Sequence, residues 1–230
     1  CPGNESISTT TSPVVQQLLD MGAMLVGKNT MDEFATGVVG VRSAPHPVSP
    51  INPEYIPGGS SSGSGVVVSN GCVTFSLGSD TGGSGRVPAA MCNIVGFKPT
   101  PHLLSSEGMV YANKSIDCIP VFARTAIEAD YVFRKLMVGN KAGCLLADLP
   151  HSQNDLVIAI PDEKGLKFFG DTEAEACFRS VLETLENQGA RIQPIDFSPF
   201  SEAGAMLFDG AFISERFDSV GEFIRDNPDT

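Results

Sequence analysis

"GSDTGGSGR", residues 78–86, places Ser84 after two glycines and two positions before an arginine. A serine at the end of a glycine-rich turn can present its hydroxyl to a carbonyl carbon. The backbone N–H groups of Thr81, Gly82 and Gly83 can then converge on the oxyanion that develops. The stretch therefore predicts acyl transfer, with Ser84 as nucleophile and these three residues as the oxyanion hole.

Two other interpretations of the glycine-rich tract fit less well. Neither G-x-x-x-x-G-K-[ST] nor G-x-G-x-x-G occurs with the strand before it and the helix after it that a phosphate loop needs. A flexible linker is not followed by apolar runs such as "VTFSL" at residues 73–77. Arg86, next to the turn, is expected to anchor the loop through Asp80 or a nearby carbonyl group rather than to contact a substrate.

The nucleophile needs a base, because a serine hydroxyl is inert at neutral pH. Asp80 is close in sequence, but a carboxylate with an ordinary pKa is a poor base for an alcohol. A relay through the second serine cluster, "PGGSSSGSG" at residues 57–65, is the remaining local candidate. The histidines are more simply explained as loop residues, and they are His46, His102 and His151.

Length and charge limit the classes of function. A chain of 230 residues with 42% hydrophobic content can bury a single sizeable core, so we expect one domain, cut at both ends. The formal net charge of -12 argues against nucleic acid and anionic membranes as partners. Six cysteines without a C-x-x-C pair indicate reduced, mostly buried thiols in a cytoplasmic protein and no zinc site.

Apolar periodicity and turn residues predict α/β architecture. The helices are expected from Pro13 to Gly22, in a short segment opened by a Thr30–Glu33 capping box, at residues 126–137, and at residues 172–189. The strands are expected at residues 23–27, 155–161 and 191–196, the last two forming a βαβ unit with the helix between them. Residues 42–57, with five prolines, are expected to form a loop.

Three segments together resemble the amidase signature family: "GGSSSGSG" (58–65), "SLGSDTGGSGRVPAA" (76–90) and "IVGFKPT" (94–100). The resemblance extends over nearly the whole chain and implies an α/β fold with a mixed central sheet flanked by helices, of which this chain is an incomplete portion. It also implies a Ser-Ser-Lys mechanism. By resemblance Ser84 is the nucleophile, and Ser60, which lies 24 positions earlier, is the bridging serine preceded by a cis peptide bond.

The lysine of this mechanism has no match in the chain, since the family's Lys-Asp motif is absent from these residues. Lys28 matches a different family segment, and Lys98, in "GFKPT", is a weaker candidate still. Either the base lies outside this sequence, or the protein is a catalytically inactive relative that serves as a binding or structural subunit.

Finer features resemble the branch of the family that hydrolyses allophanate and releases ammonia in urea degradation. They include "KSIDCIPVFA" (114–123) and "DFSPFSEAGAMLFDGAFISERF" (196–217). In that branch an arginine and a tyrosine eight residues before it recognise the substrate, and these positions correspond to Arg216 and Phe208. The missing hydroxyl at Phe208 would remove a hydrogen bond worth about 1–3 kcal/mol, which leaves another small amide open as substrate.

The resemblance also indicates partners. It implies a small-molecule amide substrate, no metal or other cofactor, and a urea carboxylase as a separate partner or a fused domain. A homodimer is left open by the sequence.

Overall fold

A computed structural model describes residues 8–137 and 156–228. It has seven α-helices and five strands within those ranges and confirms the predicted α/β class. The helices are α1 (Pro13–Asp20), α2 (Ser62–Ser69), α3 (Val87–Met91), α4 (Ala126–Met137), α5 (Thr172–Asn187), α6 (Ser198–Ala205) and α7 (Ala211–Asp226). The strands are β1 (Phe75–Leu77), β2 (Val95–Phe97), β3 (Val121–Ala123), β4 (Val157–Pro161) and β5 (Arg191–Ile195).

The chain divides into two compact units. One comprises Cys1–Ala142 and Gly210–Thr230, and the other comprises Gly143–Asp209. Cys1, Cys144 and His151 lie outside the described residues. In the described residues no helix is both long enough and apolar enough to cross a membrane.

An antiparallel sheet of three strands, in the order β1-β3-β2, forms the centre of the first unit. All three residues of β3 are fully buried, and alternate residues of a strand point to opposite faces of its sheet. Val121 packs in one apolar cluster with Val14 of α1 and Leu136 of α4. Phe122 packs in a second cluster with α2 and α3. The sheet is therefore covered by helices on both faces.

Helix α2 shows how packing overrides sequence preference. Its sequence, SGSGVVVS, contains residues that are poor helix formers in isolation. A Cβ atom at Gly65 would lie 3.1 Å from the carbonyl oxygen of Pro88 and 3.2 Å from the Cys92 Sγ, so the absent side chain lets α2 approach α3 closely. The tract is thus a packed helix, which excludes the linker interpretation.

The second unit is built on a βαβ arrangement, as predicted. Strands β4 and β5 pair in parallel, with Val157 opposite Arg191, and α5 connects them in sequence. Helix α5 begins where the Asp171 carboxylate accepts a hydrogen bond from the N–H of Ala174, at 2.9 Å. An aspartate at this position satisfies a backbone donor that the first helical turn leaves open.

Two predicted elements are wrong. Residues 23–27 form no strand, and three of their apolar side chains are exposed, with Met24 at 86%. The Thr30–Glu33 spacing opens no α-helix, since the segment is a single 3-10 turn, Glu33–Ala35, preceded by Asp32. Phe34 and Ala35 have φ of 50° and 54°, which stops a right-handed helix from continuing.

A capping box does occur before α4. Thr125 and Glu128 exchange hydrogen bonds, with the Thr125 N–H donating to the Glu128 carboxylate at 2.9 Å and the Glu128 N–H donating to the Thr125 hydroxyl at 3.2 Å. Residues 42–57 form an irregular loop, as predicted. The predicted burial of the thiols is confirmed for Cys92 and Cys118 and is wrong for Cys72 and Cys177, which are exposed.

Candidate active site

The two serine-rich segments meet in the first unit. The N–H of Ser61 donates to the carbonyl oxygen of Ser84 at 3.3 Å. The Ser61 hydroxyl donates to the carbonyl oxygen of Ser79 at 3.1 Å and accepts from the Ser79 N–H at 3.2 Å. Backbone and side-chain bonds from Ser61 therefore hold the turn that carries Ser84 against the start of α2.

Ser60 lies beside this junction and is completely buried. The peptide bond between Gly59 and Ser60 is cis, which confirms the expectation from the family resemblance. The Ser60 Oγ has no hydrogen-bond partner among the described residues. Ser84 is also buried, with 4% exposure. The site thus contains a buried hydroxyl with unused hydrogen-bonding capacity next to the turn of the candidate nucleophile.

Asp80 organises the turn itself. Its carboxylate is fully buried and accepts hydrogen bonds from the N–H groups of Gly83 at 2.8 Å and Gly85 at 2.9 Å. Arg86 donates to both oxygens of the same carboxylate, and this hydrogen bond raises the pKa of the guanidinium. The expectation that Arg86 anchors the loop through Asp80 is confirmed. The bond from Gly83 directs its N–H to Asp80, a use that differs from the expected oxyanion donor.

A second buried aspartate, which the sequence did not single out, supports the Ser60 segment. The N–H of Asp32 donates to the Ser60 carbonyl oxygen at 2.9 Å, while its carboxylate accepts from the N–H groups of Gly40 and Arg42, both at 2.8 Å. A Cβ atom at Gly59 would lie 2.6 Å from the Gly40 nitrogen. Glycine at this position therefore allows the two segments to touch.

Thr81 makes a side-chain contact that was also not foreseen. Its hydroxyl donates to the carboxylate of Asp117 at 2.5 Å. Next to this contact, Asp80 and Cys118 exchange both backbone hydrogen bonds, at 3.0 and 3.2 Å. Burial raises the pKa of the Cys118 thiol. Thr81 and Asp117 are 36 positions apart in the sequence, so no local sequence pattern could have predicted their hydrogen bond.

Arg216 lies on α7, which belongs to the first unit. Its guanidinium donates to the Thr36 hydroxyl at 3.0 Å and to the Asn113 side-chain oxygen at 3.5 Å. The neighbouring Glu215 accepts from the N–H of Ser115 at 2.8 Å and from its hydroxyl at 2.7 Å, and the hydroxyl contact lowers the pKa of Glu215. These contacts fasten α7 to the loop at residues 112–118.

Phe208 belongs to the second unit, where its side chain is 78% exposed. Its expected contact with substrate remains a prediction.

The candidate bases in the chain lie elsewhere. The Lys98 ammonium donates to the carbonyl oxygen of Pro99 at 3.2 Å, and Lys28 is exposed. In the described residues neither lysine hydrogen-bonds to Ser60. Within those same ranges, no group of three or more histidine, cysteine, aspartate or glutamate side chains could hold a metal ion.

The chain is similar to several amide-processing proteins and to a solved structure. Urea amidolyase of Saccharomyces cerevisiae is 37% identical over 99% of this chain, which covers 13% of that protein. Indoleacetamide hydrolase of Pseudomonas syringae is 42% identical over 87% of the chain, which covers 44% of that protein. Allophanate hydrolase of Kluyveromyces lactis has a solved structure that matches 99% of this chain with a TM-score of 0.87 and 39% identity. The chain spans 38% of that solved chain.

The sequence pattern of one protein family matches almost the entire chain. The amidase family model matches residues 4–225. That range includes both serine segments, the Asp80 turn and Arg216. The chain therefore belongs to the amidase family.

Proposed function

We propose that this chain carries the amide-hydrolysing site of an allophanate hydrolase that acts in urea degradation. The observation that carries the proposal is the junction of the Ser60 and Ser84 segments through Ser61. At this junction the Ser60 hydroxyl is buried and has no hydrogen-bond partner in the part of the chain that the structure describes. The names of the relatives support the substrate, since they include a urea amidolyase and an allophanate hydrolase.

In the proposed reaction, the Ser84 Oγ attacks the amide carbonyl carbon of the substrate. Its proton passes through the Ser60 hydroxyl to the amine of a lysine that is not among these 230 residues and is uncharged at that moment. The C–N bond then breaks, and the nitrogen takes a proton and leaves as ammonia. In the second half of the reaction, water attacks the carbonyl carbon of the acyl-Ser84 ester. The bond between that carbon and Oγ breaks, the acyl group leaves as a carboxylic acid, and Oγ takes a proton to restore the serine.

The negative charge that forms on the carbonyl oxygen needs donors fixed in advance. We propose the backbone N–H groups of Thr81 and Gly82 for this role. Gly83, the third predicted donor, would have to share its N–H with the Asp80 carboxylate, to which it donates at 2.8 Å.

Allophanate carries a carboxylate in addition to its amide, and a guanidinium suits a carboxylate because it can donate two parallel hydrogen bonds. We propose Arg216 as this group. A guanidinium has five N–H donors, so its bonds to Thr36 and Asn113 leave donors for a ligand. By the family resemblance we also propose Phe208 as a substrate-binding residue, which would contact the substrate without a hydrogen bond.

A urea carboxylase is the proposed partner, as a separate protein or a fused domain. The support is the much greater length of the urea amidolyases, of which this chain covers 13%. A cytoplasmic location remains a prediction.

The test is chemical labelling of the full-length natural protein. A fluorophosphonate probe is expected to modify Ser84, as located by peptide mass spectrometry, and Ser60→Ala is expected to slow the labelling strongly. Ser62→Ala is the matched control, because the Ser62 hydroxyl is also fully buried and unpartnered in the described residues. Ammonia release from allophanate and from neutral small amides then identifies the substrate.

Each outcome decides between the alternatives. Labelling that depends on Ser60 but not on Ser62 supports the serine relay. Release of ammonia only from an amide other than allophanate would replace the proposed substrate. A folded protein without labelling or ammonia release would favour an inactive relative that serves as a binding or structural subunit.

A further inference from the structure

We propose that the loop at residues 112–118 couples the turn of the nucleophile to Arg216, with Asp117 and Asn113 as positioning residues. The inference rests on the proposed function and deepens it, because it states how the two substrate-binding ends of one site are held at a fixed separation. Neither residue is assigned a contact with substrate.

The first end of the coupling is Asp117. Its side chain is 2% exposed, and one carboxylate oxygen accepts the hydrogen bond from the Thr81 hydroxyl at 2.5 Å. A buried carboxylate is costly unless donors surround it, so this hydrogen bond has a strong preference to form. Because Thr81 opens the T-G-G-S turn, Asp117 fixes the position of the backbone N–H groups that face the reacting carbonyl.

The second carboxylate oxygen of Asp117 turns to its own loop. It accepts from the N–H of Ala112 at 2.7 Å and from the N–H of Asn113 at 3.1 Å. The Asp117 N–H in turn donates to the Asn113 carbonyl oxygen at 2.8 Å. One side chain therefore determines both where Thr81 lies and where the backbone of Asn113 lies.

Asn113 carries the coupling to α7. It is completely buried, and its amide group donates to the carbonyl oxygen of Phe212 at 2.6 Å while its oxygen accepts from Arg216 at 3.5 Å. The bonds between Ser115 and Glu215 attach the same loop to the residue that precedes Arg216 in α7. The guanidinium is thus oriented from the loop that also holds the turn.

This geometry has a chemical consequence. A substrate with an amide at one end and a carboxylate at the other must meet the oxyanion donors and the guanidinium at the same time. A misplacement of about 1 Å can cost roughly 100-fold in rate, so the connection between the two groups matters as much as the groups themselves. The loop selects a small amide acid whose two functional groups match the distance that Asp117 and Asn113 set.

Three variants of the full-length protein separate the two ends. Thr81→Val removes the hydroxyl that binds Asp117, and Asn113→Ala removes the side chain that binds Arg216. Asp117→Ala removes the carboxylate that accepts both from the Thr81 hydroxyl and from the Asn113 N–H. One rate and one affinity are measured for each variant. One is the rate of fluorophosphonate labelling at Ser84, and the other is the calorimetric affinity for allophanate in a Ser84→Ala background.

The expected results differ between the variants. Thr81→Val should slow labelling by about 10- to 100-fold and leave the affinity for allophanate within about twofold, whereas Thr81→Ser should restore the rate. Asn113→Ala should weaken allophanate binding by about tenfold and leave labelling within about twofold. Asp117→Ala should do both.

A matched control separates coupling from a general loss of stability. Asp162→Asn changes a carboxylate that likewise accepts two backbone N–H groups, those of Lys164 at 3.1 Å and Gly165 at 2.9 Å, in the second unit. It should change neither measurement. Unchanged allophanate affinity in Asn113→Ala, or an Asp117→Ala variant that alters only the melting temperature, would overturn the proposal.

Hydrogen exchange tests the coupling without any activity. Asp117→Ala should raise amide exchange both in the peptide containing residues 81–84 and in the peptide containing residues 211–216, and Asp162→Asn should raise neither. If the wild type neither labels nor binds allophanate, the proposed function is refuted while exchange still decides the coupling. Exchange that rises at only one of the two peptides would refute the coupling alone. In case Asp117→Ala does not fold, the Thr81→Val and Asn113→Ala pair carries the same comparison.

Discussion

Arg86 and Asp80 form a bidentate ion pair between a half-exposed guanidinium and a buried carboxylate. The Arg86 Nε lies 3.0 Å from one oxygen of the Asp80 carboxylate, and its Nη2 lies 3.1 Å from the other. The arginine side chain is 52% exposed, whereas the aspartate is fully buried. The two partners therefore have different alternatives when the pair is broken.

Asp80→Ala should destabilise the protein more than Arg86→Ala. Without Asp80, the Arg86 head can turn to water, but the buried N–H groups of Gly83 and Gly85 lose their acceptor, at about 1–3 kcal/mol each. Without Arg86, the buried carboxylate keeps both backbone donors and loses a guanidinium that is half exposed and therefore partly screened by water, which we expect to cost about 1 kcal/mol. Denaturant unfolding of the two variants measures this difference. An equal or reversed order would contradict the role given to the backbone donors.

Neighbouring serines should separate stability from reactivity. Ser61→Ala removes two hydrogen bonds to Ser79 and should lower the free energy of unfolding by about 1–2 kcal/mol. Ser60→Ala removes a buried hydroxyl that has no partner among the described residues, so the unfolding free energy should stay within about 0.5 kcal/mol of the wild-type value. Labelling of Ser84 should nevertheless fall strongly in Ser60→Ala. Thermal unfolding and probe labelling of the same samples check both halves.

Gly96 of β2 should tolerate no side chain. A Cβ atom there would overlap the carbonyl oxygen of Gly85, next to the nucleophile, and would lie 2.7 Å from the Ala89 Cβ. Gly96→Ala should therefore cost about 1–3 kcal/mol and slow labelling at Ser84. Gly204→Ala in α6 is the control, since nothing lies within 4 Å of its Cβ position, and it should stabilise the helix by up to about 1 kcal/mol. Destabilisation of equal size at both positions would contradict the steric argument.

The attachment of α7 to its loop should weaken in acid. The Ser115 hydroxyl lowers the pKa of Glu215 below the ordinary value of 4.5. Because the folded-state pKa is depressed, the contribution of this carboxylate to stability is present above about pH 4.5 and is lost as the pH falls through the lower, folded-state pKa. An NMR titration should place the Glu215 pKa below 4.5 in the wild type and return it toward that value in Ser115→Ala. No difference between the two proteins would remove the hydroxyl as the cause.

Local patterns predicted those parts of the structure that depend on neighbouring residues. The helix α5 and the strands on either side of it follow from apolar periodicity. The turn at residues 78–86 follows from its glycines, and the cis bond before Ser60 follows from the family resemblance. For the helix, the strands and the turn, a segment of a few residues contains the information that determines the local structure.

Long-range contacts explain what the sequence did not reveal. Residues 23–27 have the composition of a buried strand, but a short apolar run does not specify a pairing partner, and these side chains lie exposed. The contact between Asp32 and Gly40, and the contact between Asp117 and Thr81, depend on how separate loops approach each other. The sequence around a single loop aspartate does not show whether its carboxylate is buried and accepts several hydrogen bonds or lies in solvent.

The bridge between Asp80 and Cys118 continues the pairing of β1 with β3, in which Leu77 lies opposite Val121. Successive residues of a strand advance by about 3.4 Å and face opposite sides of the sheet. A slip of one residue would therefore carry the turn past the loop by more than the length of a hydrogen bond and would separate Thr81 from Asp117. A refolded sample in which this pairing is shifted by one residue could still be compact and helical. Only a measurement on Ser84 itself would detect the wrong register.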